Sequence, residues 1–299
     1  MSVTLVRGDS HYKTTFRALE MLKEELEERL ETIDEALIKP NLVSSWNKYA
    51  NTHHEALEAT IDFLDKYVNR IVVGEAPAGG NFKDRVRKFG YISLEERGVE
   101  FMDLCRDSYR TVRVFDSDLE RRIEVRLSRT VLEAQFRVSL TVPKSHDAAI
   151  VTLSIKNMAV GSIICGDKWN IHRGPTAINL NIALIALYTM PHLSIIDGYT
   201  AMEGNGPING EQFIWGIGGA SLTPLSMDSL MAHLMGFNPT DVGYLYYLDK
   251  WGVSGLSEYK ILGIDPERVR RSFRPHSGIE HQRKWRRMEI ARPRTEFAE

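Results

Sequence analysis

Four short apolar runs each stop abruptly at polar residues, and this repeated pattern decides what the chain can fold into. Ala36–Ile38 stops at Lys39-Pro40-Asn41, Ile71–Val73 at Gly74-Glu75, Arg137–Val142 at Pro143-Lys144-Ser145-His146, and Leu193–Ile196 at Asp197-Gly198. Runs this short, rich in β-branched residues and bounded by Gly, Pro or charge, read as strands buried on both faces of a sheet. In open parallel sheets the ligand groups gather at the carboxyl ends of the strands. Each ending is therefore a place to look for chemistry.

The segments between the runs read mostly as helices. Thr15–Leu30 sets Phe16, Leu19, Leu22, Leu26 and Leu30 at helical spacing, which predicts one amphipathic helix. Thr52 and Glu55 stand at capping-box spacing before the next helix. His53 and His54 fall in its solvated first turn. Phe82–Tyr91 reads as a basic helix and Val99–Leu104 as a further strand, while Arg110–Leu132 alternates apolar and charged residues as antiparallel strands do. Gly79-Gly80-Asn81 matches neither G-x-G-x-x-G nor a phosphate loop with its lysine. Further on, helices are expected over Thr176–Leu187, Ser226–Met235 (with Asp228 in its first turn) and Asp241–Lys250. The expected fold is α/β and two-lobed, with mostly parallel sheets, flanking helices and some antiparallel strands. Residues 1–132 form an N-terminal lobe, 133–258 a second lobe, and 259–299 a basic C-terminal extension.

Composition narrows the function. The 299 residues suit two lobes of about 150 residues each. A net charge of -2, from 38 basic and 40 acidic residues, announces neither a nucleic-acid nor a membrane partner. Arg268 to Arg294 holds ten Lys or Arg against two acids, but no nucleic-acid motif accompanies them, so this stretch reads as a tail packed on the body or on a neighbouring subunit. The two cysteines, Cys105 and Cys165, lie sixty residues apart without a C-x-x-C pair, which excludes a cysteine-held cluster within the chain. Each reads as a separate buried, reduced thiol. The N-terminus lacks the apolar core of a signal peptide, and the longest apolar run, Ile178–Met190, falls short of the roughly 20 residues that span a bilayer. A cytoplasmic location is expected.

Polar residues concentrate between Pro143 and Pro207: Lys144, His146, Lys156, Asn157, Asp167, Lys168, His172, Asp197 and Glu203. Apolar runs separate them, so folding would gather them in a cleft. Lys156-Asn157 interrupts the apolar stretch Ala148–Ile155, and a lysine so placed needs a partner or a lowered pKa. It can then act as a nucleophile or as an anion clamp. Lys144, Lys156 and Lys168 would hold a carboxylate or phosphate, helped by Lys39, Asn41, Asn157 and Gly204. His146 would be a general acid/base. Glu75 would orient it or act as a base, and Asp197 and Glu203 suit a divalent metal. Two functions fit: an enzyme acting on an anionic small molecule with a metal or pyridinium-type cofactor, or a non-catalytic cofactor-binding or accessory module. A homo-oligomer is compatible with either.

The motifs KPN, THHE, VGE, PKSH, SIKNM, DGYTAMEGNGP and SMDSLMAHLMGF occur in that order. In this the chain resembles the domain of unknown function 362 family over roughly residues 30–255. Relatives often carry a ferredoxin-type iron–sulfur segment, for which this chain has too few cysteines; the resemblance then implies a redox partner that supplies it. Gln135 and Thr223 stand where the family tends to have aspartates. A more distant likeness joins His146, Lys156 and His172 to the His, Lys, His order of the nickel-pincer lactate racemase family. That likeness implies proton transfer at His146, a pyridinium-type cofactor on Lys156 and metal at His172. Glu75 replaces a racemase histidine, so one half of a two-histidine proton-transfer pair is missing.

Overall fold

The computed structural model describes residues 1–77, 79–285 and 287–298. Its strands are β1 (Ser2–Arg7), β2 (Glu35–Lys39), β3 (Arg70–Glu75), β4 (Glu100–Asp103), β5 (Tyr109–Phe115), β6 (Arg122–Ser128), β7 (Phe136–Thr141), β8 (Lys144–His146), β9 (Ile150–Thr152), β10 (Leu193–Glu203), β11 (Glu211–Ser221) and β12 (Lys260–Gly263). Its helices are α1 (His11–Glu20), α2 (Lys23–Leu30), α3 (His54–Leu64), α4 (Phe82–Lys88), α5 (Arg129–Glu133), α6 (Ser154–Gly161), α7 (Pro175–Thr189), α8 (Pro224–Leu234), α9 (Gly243–Lys250) and α10 (Ile279–Gln282).

The main sheet runs β12-β1-β11-β10-β7-β2-β3-β4, with β8 beside β10 and β9 beside β8. From β10 to β4 every neighbour is parallel. β11 is antiparallel to both β10 and β1, and β5–β6 is a separate antiparallel hairpin. The chain is thus α/β with a mostly parallel sheet, some antiparallel strands and flanking helices. The boundary expected at 132/133 does not divide the sheet, because β7 inserts beside β2 with Phe136 opposite Ala36. Parallel neighbours must be joined by crossovers, so strands adjacent in space come from distant parts of the chain.

Each face of the sheet is covered. Ile38, Val73 and Val138 pack with Leu19, Leu26, Leu57 and Ile61 from α1, α2 and α3. On the other face Ile196 and Ile217 join the core of Ile155, Ile182, Leu230 and Tyr244 from α6 to α9. The extension closes onto this second core through Phe273 and Trp285, the latter donating its indole N–H to Asp241 O at 2.8 Å.

Several local expectations change. The helix expected over 15–30 breaks at Met21-Leu22, where Leu22 N bonds to Leu19 O; the tighter turn re-aims α2 so that Leu26 and Leu30 stay buried. The cap of α3 is His53, whose Nδ1 accepts from Glu55 N, while the Thr52 hydroxyl is drawn away to Asn41 N and Leu140 O. Asp197 lies within β10, not at its end, because pairing with β11 prolongs the strand to Glu203. Asp228 lies beyond the first turn of α8. Cys105 and Cys165 are joined as a disulfide rather than standing as two separate thiols. The chain between them folds back so that both sulfurs lie beside Pro77.

Candidate functional site

Lys156 and Asn157 reach the site from a helix. The β-branched run before them predicts strand, but the strand covers Ile150–Thr152 alone, and α6 begins at Ser154. No side chain at its own N-cap serves the first turn. Asp228 does so from α8, its two oxygens accepting from Ser154 N and Ile155 N at 2.9 Å each. Burial pushes the Asp228 carboxyl up to about 7, with the two amides opposing. The helix start thus rests on a tertiary contact seventy residues away, which local pattern could not reveal.

The carboxyl ends of β2 and β3, the β8–β9 hairpin and the length of α6 surround one hollow of about 70 Å³. Lys39, Asn41, Glu75, Lys144, His146, Lys156, Asn157 and Lys168 all line it, so nearly the whole expected anion and acid/base set is brought together. The exposures of Lys39 (0%), Lys144 (0%), Glu75 (3%) and Lys156 (6%) put these charges inside the protein.

Lys39 uses all three of its donors, to Glu75 Oε2 (2.9 Å), Pro40 O (2.9 Å) and Asn157 Oδ1 (3.0 Å). Asn157 Oδ1 also accepts from Asn41 Nδ2 at 2.9 Å, and the Asn157 amide donates to Lys39 O and Ser139 Oγ. Glu75 accepts from Leu42 N and Ala76 N besides Lys39. Lys144 donates to Asn41 Oδ1 at 2.7 Å and to Ala50 O. Lys168 donates to Val160 O at 2.6 Å. These bonds fix a rigid floor at Lys39, Glu75 and Asn157. Lys156 and Lys168 are left with donors to spare. The Thr152 hydroxyl, which also lines the hollow, is buried with no partner among the described residues.

α6 can lie across this floor only because residue 161 is glycine. A Cβ there would come within 1.6 Å of Lys39 Cε and 3.0 Å of Glu75 Oε1. Sequence reading gave Gly161 no role, and nothing in its neighbours signals one.

At the rim, Lys156 Nζ lies 2.9 Å from His146 Nε2. His146 Nδ1 lies 2.9 Å from Asp147 Oδ1 and 3.0 Å from Ala148 N. Its proton, when present on Nδ1, therefore goes to the carboxylate, and its lone pair, when bare, takes the amide. Asp147 was overlooked in the sequence, although it directly follows the PKSH motif. Burial, then Lys156, hold His146 neutral, with its pKa down to about 3. Burial likewise lowers Lys156 to about 8, against the pull of Asp147, and Lys168 to about 7, against Glu75. Lys144 is pushed well below its ordinary range by burial and by Lys156. Burial opposes ionisation of Asp147, but His146 and Lys156 outweigh it and bring the carboxyl to about 2. Four lysines face one buried carboxylate and a second at the rim, so any protonated surplus favours a bound anion.

The residues expected to hold metal fall elsewhere. His172 lines a neighbouring hollow with Asp147 and His281, its Nδ1 on Lys168 O. Asp197 is fully buried against His11 Nδ1 at 2.6 Å, and burial raises its pKa. Glu203 faces Arg271 and accepts from Arg274 N. Among the described residues the only grouping of three such ligands is His53, His54 and Glu55, so His172, Asp197 and Glu203 do not assemble a metal site. Asp197 and Glu203 stand on one extended strand, roughly 20 Å apart at about 3.3 Å per residue, too far to share one ion. Gly204 serves the loop's backbone, with φ 77, its amide on Arg274 O and its carbonyl on Ser145 Oγ. A hollow of about 70 Å³ also does not fit a pyridinium nucleotide, since cofactor pockets run to about 300–1,000 Å³.

No helix among the described residues is long and apolar enough to cross a membrane. The thylakoid-associated protein of Synechocystis sp. is 26% identical over an alignment of 227 residues that covers 74% of this chain and 69% of that protein. The lactate racemase apoprotein from Thermoanaerobacterium thermosaccharolyticum is similar with a TM-score of 0.47 and 15% identity, over 64% of this chain and 50% of that one. The chain therefore spans half of the racemase's length. A family model described as domain of unknown function (DUF362) matches residues 36–233, well over half of the sequence and nearly all of the site just described. The chain belongs to the DUF362 family.

Proposed function

We propose that this protein is an enzyme that binds a small carboxylate or phosphate in the lysine hollow and moves a proton at it through His146 and Lys156. One observation carries the reading: four lysine head groups converge on a buried space in which Glu75 is already committed to Lys39. Charges are not buried without compensation unless something else supplies it. Among the described residues Lys156 and Lys168 keep unused donors and the Thr152 hydroxyl lacks a partner, so a bound anion would satisfy all three. Lys156 is the second cause, after burial, that holds the His146 pKa down, so the imidazole becomes a better acceptor as Lys156 gives up its charge; it can then take that proton and pass it on, with Asp147 on its other nitrogen. The hollow's size favours ligands of a few heavy atoms.

The test is a thermal-shift and calorimetric panel of phosphate, sulfate and oxalate against uncharged analogues at neutral pH. An anion present at 100 times its dissociation constant should stabilise the fold by about 2.7 kcal/mol. Lys168→Met, at a half-buried position, should weaken that effect. If none of these anions shifts the melting temperature, the reading fails. We place the activity in the cytoplasm. Cell fractionation tests this, with a membrane-bound fraction, as the name of the Synechocystis relative suggests, as the contrary outcome.

A further inference from the structure

Asp147, His146 and Lys156 form a line of carboxylate, imidazole and amine with two successive 2.9 Å contacts. This is the order in which an acid, a base and a nucleophile are arranged for covalent catalysis. The nucleophile sits on α6, which is clamped at its start by Asp228 and pressed at its end against the Lys39–Glu75 floor. The amine therefore has a fixed address beside an anion-holding space. Lys168, with one bond to Val160 O, keeps donors for a carboxylate, and Thr152 offers its hydroxyl.

Resting on the anion reading above, we propose that Lys156 forms an imine with a small carbonyl compound that also carries a carboxylate. The unprotonated amine adds to the carbonyl carbon, its nitrogen lone pair making the new C–N bond as the C=O π pair moves to oxygen. Nitrogen gives up two protons in turn, each carried by His146 Nε2 to the ligand oxygen: the first turns the alkoxide into a hydroxyl, and the second lets that hydroxyl leave as water while the C=N bond forms. One carbonyl compound and one amine give one imine and one water, and no oxidant or reductant is consumed. Burial supports this, because the Lys156 pKa lies at about 8 and leaves a share of free amine at neutral pH. The hollow of about 70 Å³ favours a small partner over a nucleotide-sized one.

Glyoxylate, the smallest such compound, is the probe. The full chain is incubated with glyoxylate and sodium borohydride, digested, and mapped by mass spectrometry. Melting temperature is followed in parallel with glyoxylate and with phosphate. The reduced adduct should form at Lys156 about tenfold or more faster than at exposed Lys13 or Lys66. Excess phosphate should suppress it, and His146→Gln should slow it by about a hundredfold. Adducts scattered over exposed lysines with Lys156 unmodified would overturn the imine. If glyoxylate and phosphate still raise the melting temperature in that case, anion binding stands alone. If neither does, both readings fall together. An unchanged adduct rate in His146→Gln would remove the proton relay.

Discussion

Gly161→Ala sets two opposing effects against each other and so tests the packing of the site. Residue 161 closes α6 with ordinary helical backbone, and an exposed helix gains about 0.8–1.0 kcal/mol when Gly becomes Ala. Here the new methyl would stand 1.6 Å from Lys39 Cε and 2.2 Å from Nζ. The tip of a lysine usually swings aside at little cost. This one is wholly buried and holds Glu75, Pro40 O and Asn157 at once. Moving it strands Glu75, and breaking one side of a buried pair costs about 3–5 kcal/mol. The net expectation is a loss of about 2–4 kcal/mol, read by urea denaturation with unchanged slope. In a Lys39→Ala background the space is already open and the pair already lost. Gly161→Ala should then become neutral or stabilising by up to about 1 kcal/mol. The same sign and size in both backgrounds would refute the reasoning.

Four other outcomes follow from the same geometry. Phosphate affinity should fall as pH rises from about 7 to 9, by about tenfold per unit for each proton the complex must take up, because Lys168 and Lys156 lose their protons near 7 and 8 when free. For the ligand-free protein the sign is opposite: burial lowers Lys156 from 10.5 to about 8, so between those values the unfolded chain binds more protons and stability rises with pH. Calorimetry and denaturation in matched buffers check both. Asp228→Ala should cost about 2–4 kcal/mol, since two buried amides at the start of α6 lose their acceptor, and should loosen phosphate binding through Lys156. Gln282→Ala should cost about 1–3 kcal/mol and weaken phosphate binding, because Gln282 bridges His146 O and Ile150 N and braces a hairpin whose Ile150 sits at φ 65. Equal binding by Gln282→Ala and the parent would detach the C-terminal extension from the site.

The strand ends were legible because a short apolar run that stops at Lys39-Pro40-Asn41 or Gly74-Glu75 admits few other readings. The structure indeed sets Lys39, Asn41, Glu75 and Lys144 around one space. What escaped were features decided by distant contacts. Ile150–Ile155 reads as strand from its β-branched residues, but a helix starts at Ser154, where Asp228 accepts from Ser154 N and Ile155 N. Asp197 looks like a strand end until β11 is seen beside it. The Cys105–Cys165 pairing and the clearance at Gly161 depend on how α6 crosses the sheet, which no local pattern encodes.

The account stands or falls on whether an anion enters the lysine hollow. Crystals soaked in selenate and measured at the selenium edge give the most direct answer. The prediction is an anomalous peak within hydrogen-bonding reach of Lys156 and Lys168 Nζ, weakened in Lys168→Met. Peaks confined to the surface arginines between Arg268 and Arg294, with the hollow empty at saturating selenate, would contradict it.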